Sequence, residues 1–233
     1  TISVTTTGAG GEGIESKTSI DITGGQVTVN ASDDAINSSY SDDTKSLSNA
    51  GDLTISGGYV YARSTGNDGI DANGNCYIKG GLVYAIGTSS PEVAIDANSE
   101  ERKKLYVTGG TIIAIGGLEN GASLTQSCYK ASSWSKNTWY AMTIGSDTFV
   151  FKTPSSGGST MVVSGASQPT LKSGVTVSGG NSIFDGVGYT DATATGGSSV
   201  SLSSYTGGGG GPGGGGGPWW TLNSAISFSI DSI

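Results

Sequence analysis

Four stretches of the sequence share one pattern: IDITGGQVTV (20–29), LTISGGYVYA (53–62), CYIKGGLVYA (76–85) and LYVTGGTIIA (105–114). In each of them a glycine pair separates two short runs in which apolar residues recur at every second position. This alternation is typical of β-strands, and a glycine pair is typical of a tight turn. Because the pattern recurs along the chain, we expect a repeat protein in which equivalent strands of neighbouring copies pair in parallel.

A shorter phrase precedes the glycine pair in every copy. The four phrases are EGIES (12–16), DAINS (34–38), DGIDA (68–72) and VAIDA (93–97). Each copy therefore supplies three short strands, which cannot bury a face alone but can do so when the copies are stacked. The sequence thus predicts an all-β right-handed parallel β-helix, a solenoid with an irregular β cap at its C-terminal end and an ordered Gly-rich tail.

The strength of the repeat changes along the chain and predicts three regions. Residues 1–117 are expected to form the regular coils of the β-helix, of which the first is truncated. Residues 118–206 keep β alternation without the repeat, and we expect irregular β coils or a cap. Residues 207–233 hold a Gly/Pro-rich tract, expected to pack on the solenoid, and one terminal strand.

Composition excludes several classes of function. The 233 residues carry a net charge of −8, and the eleven basic residues form no stripe beyond the run Arg102-Lys103-Lys104, so a nucleic-acid partner is not expected. No apolar run is long enough to span a membrane. The sequence contains no histidine, which excludes Ser-His-Asp triads and most zinc sites. A bound metal would therefore be a hard cation held by oxygen ligands.

Acidic residues recur at two places in the short phrases, directly after the isoleucine and two residues before it. In a parallel stack, equivalent side chains lie about 4.8 Å apart. Two carboxylates at that distance repel by roughly 3–4 kcal/mol at an effective dielectric constant of about 20. We therefore expect Ca²⁺ between the copies, with Asp34, Asp68, Asp71 and Asp96 as ligands. The alternative is a solvated acidic face whose aspartates cap loop amides.

Tyrosines recur at positions expected to point outward from the strands. They are Tyr59, Tyr61, Tyr84, Tyr77 and Tyr106. Aromatic side chains on consecutive copies would form a strip on which sugar rings can lie, so these residues are candidates for carbohydrate binding. The alternative is ordinary strand propensity, with stacked tyrosines stabilising neighbouring strands.

The order of these motifs resembles a bacterial family of carbohydrate-binding-domain-containing proteins. The resemblance rests on GEGIES (11–16), DDAINS (33–38), NDGIDANG (67–74) and the TGG or SGG turns, and continues through FKTPSS (151–156), TLKSG (170–174), VSGG (177–180) and the glycine tract. The family implies a parallel β-helix similar to pectate-lyase-like folds, export to the bacterial surface, and calcium near the DGID-type turns. Asp68 and Asp71 match both acidic positions of that motif, Asp34 matches the first and Asp96 the second.

Three functions are consistent with the sequence. The first is a polysaccharide-binding or adhesin-type protein, secreted or at the bacterial cell surface, calcium-stabilised and non-catalytic. The second is a calcium-dependent lyase acting on uronate-containing polysaccharides, for which Lys79 or Lys17 would be the base. No arginine can be placed beside either lysine, so the residues favour a non-catalytic protein over an enzyme. The third is a structural spacer of a surface protein. The oligomeric state is left open by the sequence.

Overall fold

The computed structural model describes residues 1–207, and almost all of its regular structure is β. In chain order the strands are β1 (Ile2–Thr5), β2 (Ile14–Ser16), β3 (Ser19–Ile22), β4 (Gln26–Ala31), β5 (Ile36–Ser38), β6 (Asp52–Ile55), β7 (Tyr59–Ser64), β8 (Ile70–Ala72), β9 (Cys76–Ile78), β10 (Leu82–Ile86), β11 (Leu105–Val107), β12 (Thr111–Ile115), β13 (Ser123–Leu124), β14 (Cys128–Ala131), β15 (Trp139–Ile144), β16 (Asp147–Lys152), β17 (Met161–Ser164), β18 (Thr170–Ser178), β19 (Asn181–Ile183), β20 (Gly188–Thr190), β21 (Thr193–Val200) and β22 (Leu202–Tyr205). Two short 3₁₀ turns, Ser99–Glu101 and Phe184–Gly186, complete the described part.

The strands form four open sheets. Sheet 1 has the order β1-β4-β7-β10-β12-β17-β14-β22, and sheet 2 has the order β13-β11-β9-β6-β3. Sheet 3 consists of β2-β5-β8, and sheet 4 has the order β19-β20-β16-β15-β18-β21. Each repeat supplies one strand to sheet 2 and the next strand to sheet 1, so consecutive strands of the chain lie in different sheets.

Neighbouring repeats pair in parallel and in register, as the sequence predicts. In sheet 1, Val60 lies opposite Val27 on one side and Val83 on the other. In sheet 2, Ile55 lies between Ile22 and Ile78 in the same way. Most of these side chains are buried in one core between the sheets, where the alternation of apolar residues places them.

The glycine pairs are required by the close approach of successive repeats. A Cβ atom on Gly80 would lie 2.4 Å from the carbonyl oxygen of Ser56, which belongs to the preceding copy. The next residue, Gly81, has a φ angle of +79°, which residues with a side chain rarely adopt. The first glycine thus allows the stacking distance, and the second allows the turn.

The prediction of a right-handed parallel β-helix is wrong for this chain. The fold is all-β, but its sheets are mixed, none of them closes, and they are arranged like a sandwich. Sheet 1 changes from parallel to antiparallel where β17 pairs with β12, and sheet 4 is antiparallel throughout. The physical reason is a second apolar face, which a repeat of stacked strands alone would leave in water.

That second apolar face belongs to sheet 1 and is covered by sheet 4. Tyr84 of β10 contacts Phe151 of β16 with ring centroids 5.3 Å apart, and its hydroxyl donates a hydrogen bond of 3.0 Å to the carbonyl of Lys152. Ile113 of β12 and Tyr140 of β15 are fully buried in the same cluster. The aromatic and branched residues of this cluster form a core separate from the one inside the repeats.

Of the three regions predicted from the sequence, the structure describes the first two and only the first residue of the third. Strands after residue 117 join the sheets built by the repeats, because β13 extends sheet 2 and β14, β17 and β22 extend sheet 1. The predicted packing of the Gly/Pro-rich tract and the terminal strand falls on residues 208–233, which lie outside the described residues. The regional division itself stays a prediction.

Candidate functional site

An acidic ladder follows the isoleucine column of sheet 3. Glu15 lies opposite Asn37, and Asn37 lies opposite Asp71. Single bridges continue the column from Ile70 to Ile95 and from Ile95 to Leu118, which places Asp96 and then Glu119 next in the ladder. Five copies of the short phrase therefore stack, one more than the sequence analysis identified.

A second ladder lies two residues before each isoleucine, and its aspartates bind the backbone of the following copy. The Oδ1 atom of Asp34 accepts a hydrogen bond of 2.9 Å from the amide of Asp68. The Oδ1 atom of Asp68 accepts one of 2.5 Å from the amide of Val93. These bonds are the turn-capping role that was the alternative to metal binding, and each uses one of the two carboxylate oxygens.

The two ladders converge at one point. Carboxylate oxygens of Asp68, Asp71 and Asp96 all lie within 4.8 Å of one another. The side chain of Asp68 is 7% exposed, whereas Asp71 and Asp96 are partly exposed, so the group can be reached from solvent. Asp34, the fourth predicted ligand, is also buried but is not part of this group of three.

Burial and mutual repulsion raise the pKa values of the clustered carboxyls. The pKa of Asp68 rises to about 8, chiefly because burial disfavours the charged form. The pKa of Asp71 rises to about 6, also chiefly through burial, and a hydrogen bond with Asp96 partly opposes this shift. Burial, followed by a hydrogen bond with Glu119 and the charges of Asp68 and Asp71, raises the pKa of Asp96 to about 12. At neutral pH Asp68 and Asp96 therefore hold protons in the metal-free protein, and a bound cation would have to displace them.

Beside this group lie acceptor atoms that have no donor. The Asn37 side chain is 7% exposed; its amide nitrogen donates to Glu12 and Asp34, but its Oδ1 atom has no hydrogen-bond partner. The Oε2 atom of Glu12 is likewise buried without a partner. Burial raises the pKa of Glu12 to about 7 and that of Asp34, which also feels the charge of Asp71, to about 10.

The donor set fits a hard divalent cation. Carboxylate and amide oxygens are the ligands that Ca²⁺ prefers, and unpartnered buried oxygens are what a cation would satisfy. Within residues 1–207, no lysine or arginine forms an ion pair with Asp68, Asp71 or Asp96. Asp68, Asp71 and Asp96 are the residues best placed to hold such an ion.

Sequence reasoning missed Glu119, which is 9% exposed and hydrogen-bonded to Asp96. The only indication of it in the sequence is the pair Leu118-Glu119, an apolar residue followed by an acid as in Ile95-Asp96. Because the residues around Leu118 lack the rest of the repeat, the sequence pattern indicates four copies of the short phrase, whereas the structure stacks five.

The predicted tyrosine strip is present only in part, on sheet 2. The rings of Tyr77 and Tyr106 stack with their centroids 5.1 Å apart and their planes 9° apart. Each ring therefore covers one face of the other. On its far side Tyr106 neighbours Ser123, whose side chain is short, so that face of the ring is open. The ammonium group of Lys79 lies 4.9 Å from the centroid of the Tyr77 ring.

The other predicted tyrosines lie on sheet 1 and do not join this strip. Tyr61 and Tyr84 are 4% and 0% exposed, because sheet 4 and the turn at Phe184 cover them. The prediction that they lie on an open outer surface is therefore wrong. Tyr59, at the start of β7, is 40% exposed, but it stands apart from Tyr77 and Tyr106 on a different sheet.

Comparison with known proteins gives one positive result. A family model described as "Carbohydrate-binding domain-containing protein" matches residues 1–133, which is more than half of the chain. The matched residues include the repeats, the acidic ladders and the Tyr77–Tyr106 pair. Searches of curated proteins and of solved structures gave no significant match. Among residues 1–207, no helix has the length and apolar character needed to cross a membrane.

Proposed function

The chain belongs to the carbohydrate-binding domain-containing protein family, and we propose that it is an extracellular polysaccharide-binding protein, stabilised by calcium and without catalytic activity. The observation that carries this proposal is the family match over the repeats, together with the partly exposed aromatic pair that the repeats hold in register. Secretion or attachment to the bacterial surface is part of the proposal and follows from the expected polysaccharide partner.

The Tyr77–Tyr106 pair is the proposed contact surface for sugar. The apolar C–H face of a sugar ring packs on an aromatic ring, and the hydroxyls around it need polar partners. The face of Tyr106 above Ser123 offers the aromatic surface. The exposed Lys104 and Thr108, two residues before and after Tyr106, offer polar partners for the hydroxyls. Because the pair is locked by strand pairing, little side-chain entropy is lost on binding.

The proposed role of calcium is structural. The ion would bridge Asp68 and Asp71 of one copy to Asp96 of the next, and would thereby fix the spacing of the two copies. The same spacing sets the position of the sheet 2 tyrosines, because each copy contributes to both sheets. A lyase would need a lysine or arginine beside the metal and the substrate. Lys17 pairs with Glu15, and Lys79 lies over Tyr77, so neither is placed at the aspartate cluster.

Affinity gel electrophoresis with a panel of soluble polysaccharides, run with calcium, tests the proposal. We expect at least one polysaccharide to retard the protein, and Tyr106→Ala to weaken that interaction about fivefold, as the loss of about 1 kcal/mol of aromatic contact implies. Tyr59→Ala is the matched control, because it removes an exposed tyrosine outside the pair and should leave the retardation unchanged.

The same samples are followed by absorbance near 235 nm, where the unsaturated product of a lyase absorbs. Retardation without product supports the proposal. Product formation would replace it with the lyase function, and a protein that no polysaccharide retards would leave the spacer function in its place.

A further inference from the structure

The outer face of sheet 4 carries a second, partly exposed aromatic pair that lies outside the residues matched by the family. Alternate residues of β15 divide between two faces: Tyr140 and Met142 point into the core against sheet 1, whereas Trp139 and Ala141 belong to a third, smaller apolar cluster on the opposite face. Tyr189 of β20 lies in that cluster as well. This face is therefore distinct from the surface of sheet 2 described above.

Trp139 and Tyr189 form an angled platform. Their ring centroids are 5.6 Å apart, and their planes meet at 52°, so each ring keeps a face that the other does not cover. Both side chains are partly exposed, and both pack with Val150, which is fully buried. The rings are thus fixed from below by the sheet and open above, which is a geometry suited to a sugar ring.

Two exposed lysines accompany the rings. Lys152 lies directly opposite Trp139 in the sheet, with its ammonium group 6.0 Å from the ring centroid. Lys172 lies opposite Ala141, and Ala141 lies opposite Val150, which in turn lies opposite Tyr189. Tyr189 and Lys172 are therefore three strand spacings apart, or about 14 Å. That span exceeds one sugar ring and suits a chain of sugars laid across the strands.

The charge around this face differs from the charge of the rest of the chain. Residues 1–133 contain eight basic and fifteen acidic residues, whereas residues 134–207 contain three lysines and three aspartates. All three aspartates accept hydrogen bonds elsewhere: Asp185 from Ser3, Asp191 from Asn181, and Asp147 from Ser146 beside the β15–β16 turn. Within residues 1–207, neither Lys152 nor Lys172 forms an ion pair.

We propose that this face of sheet 4 is a second carbohydrate-binding site, and that its ligand is an acidic polysaccharide carrying carboxylates. Trp139 and Tyr189 would contact the sugar rings, and Lys152 and Lys172 would pair with the carboxylates on either side. Charge complementarity selects this ligand, because two unpaired lysines flank the aromatic platform in an otherwise acidic protein. The site does not depend on Tyr106 or on calcium.

The test uses the full chain carrying Tyr106→Ala, in EGTA, so that the sheet 2 surface and calcium contribute least. Affinity gel electrophoresis is run with polygalacturonate and with its fully methyl-esterified form, which has the same backbone without the charge. We expect polygalacturonate to retard this chain, and the added pair Lys152→Gln and Lys172→Gln to weaken binding at least tenfold. Trp139→Ala should weaken the binding of both polymers.

The matched control is the pair Lys45→Gln and Lys130→Gln, which removes the same charge from exposed positions outside sheet 4 and should bind as the starting chain does. Melting temperatures of all variants are compared first, and the exposed lysine substitutions should not change them. The proposal is overturned if the control pair weakens binding as much as the Lys152 and Lys172 pair.

The Tyr106→Ala substitution also separates this site from the proposed function. If it alone abolishes all binding of polygalacturonate, the sheet 2 surface is the binding site and the second site does not exist. If it has no effect while Trp139→Ala abolishes binding, the second site stands and the assignment of sugar binding to the sheet 2 pair fails.

Discussion

Removing calcium should lower the thermal stability of this protein by an amount that follows from the geometry of the aspartate cluster. With three carboxylates within 4.8 Å of one another, each ionised pair would repel by about 3.5 kcal/mol at an effective dielectric constant of about 20. The three pairs together would reach about 10 kcal/mol, which is comparable with the whole stability of a typical domain. The metal-free protein must therefore hold protons in the cluster or become less stable.

Bound calcium would relieve this repulsion, and its effect can be expressed as a rise in melting temperature. At a free concentration of about 100 times its dissociation constant, a ligand that binds the folded state alone adds about 2.7 kcal/mol. For a domain of about 200 residues this corresponds to a rise of about 5–11 °C in melting temperature. Differential scanning fluorimetry in EGTA and in graded calcium measures it directly.

The variant Asp96→Asn sharpens this test. In EGTA the raised pKa of Asp96 keeps its carboxyl protonated, and asparagine is a neutral group of similar shape, so the variant should be about as stable as the wild-type protein. In calcium it should lose most of the rise in melting temperature. Asp147→Asn, at an exposed position outside the cluster, should respond to calcium as the wild type does. A melting temperature that calcium changes in none of the three proteins would refute the reasoning.

Three further outcomes are expected. In EGTA, the free energy of unfolding should fall as the pH rises from about 4 to 8. The folded state raises the pKa of Asp71 to about 6 and that of Asp68 to about 8, and so holds protons that the unfolded chain has released. Urea titrations at several pH values measure this, and stability that increases over the range would contradict it. Tyr84→Ala should cost about 3–5 kcal/mol as a buried aromatic, whereas Tyr59→Ala should cost under about 0.5 kcal/mol; similar losses for the two would mean that sheet 4 does not cover sheet 1. Gly80→Ala should destabilise the protein strongly, because its Cβ would lie 2.4 Å from the Ser56 carbonyl oxygen, and a neutral effect in the same urea titration would contradict the stacking distance.

The parallel register of the repeats could be predicted because it depends on short-range information. Apolar residues at alternate positions decide which side of a strand is buried, and the recurrence of the pattern aligns one copy with the next. The repeat predicts that Asp71 and Asp96 occupy equivalent positions in adjacent copies, with Asp68 three residues before Asp71, and the structure brings the three together. Their convergence is a consequence of register alone.

The packing of sheet 4 on sheet 1 could not be predicted in this way. Alternation shows that a strand has two faces, but it does not show whether the second face meets water or another sheet. The alternation therefore predicts that Tyr61 and Tyr84 face solvent, although sheet 4 and the turn at Phe184 cover them. Trp139 and Tyr189 are fifty residues apart in the chain and meet only through the antiparallel order of sheet 4, so no local pattern indicated that pair.

A crystal structure of the protein grown with calcium and an oligosaccharide that retards it would test the account most directly. We predict a metal ion between Asp68, Asp71 and Asp96, and a sugar ring against the face of Tyr106 that lies above Ser123. An aspartate cluster without metal at millimolar calcium, with the sugar bound away from both aromatic pairs, would contradict it.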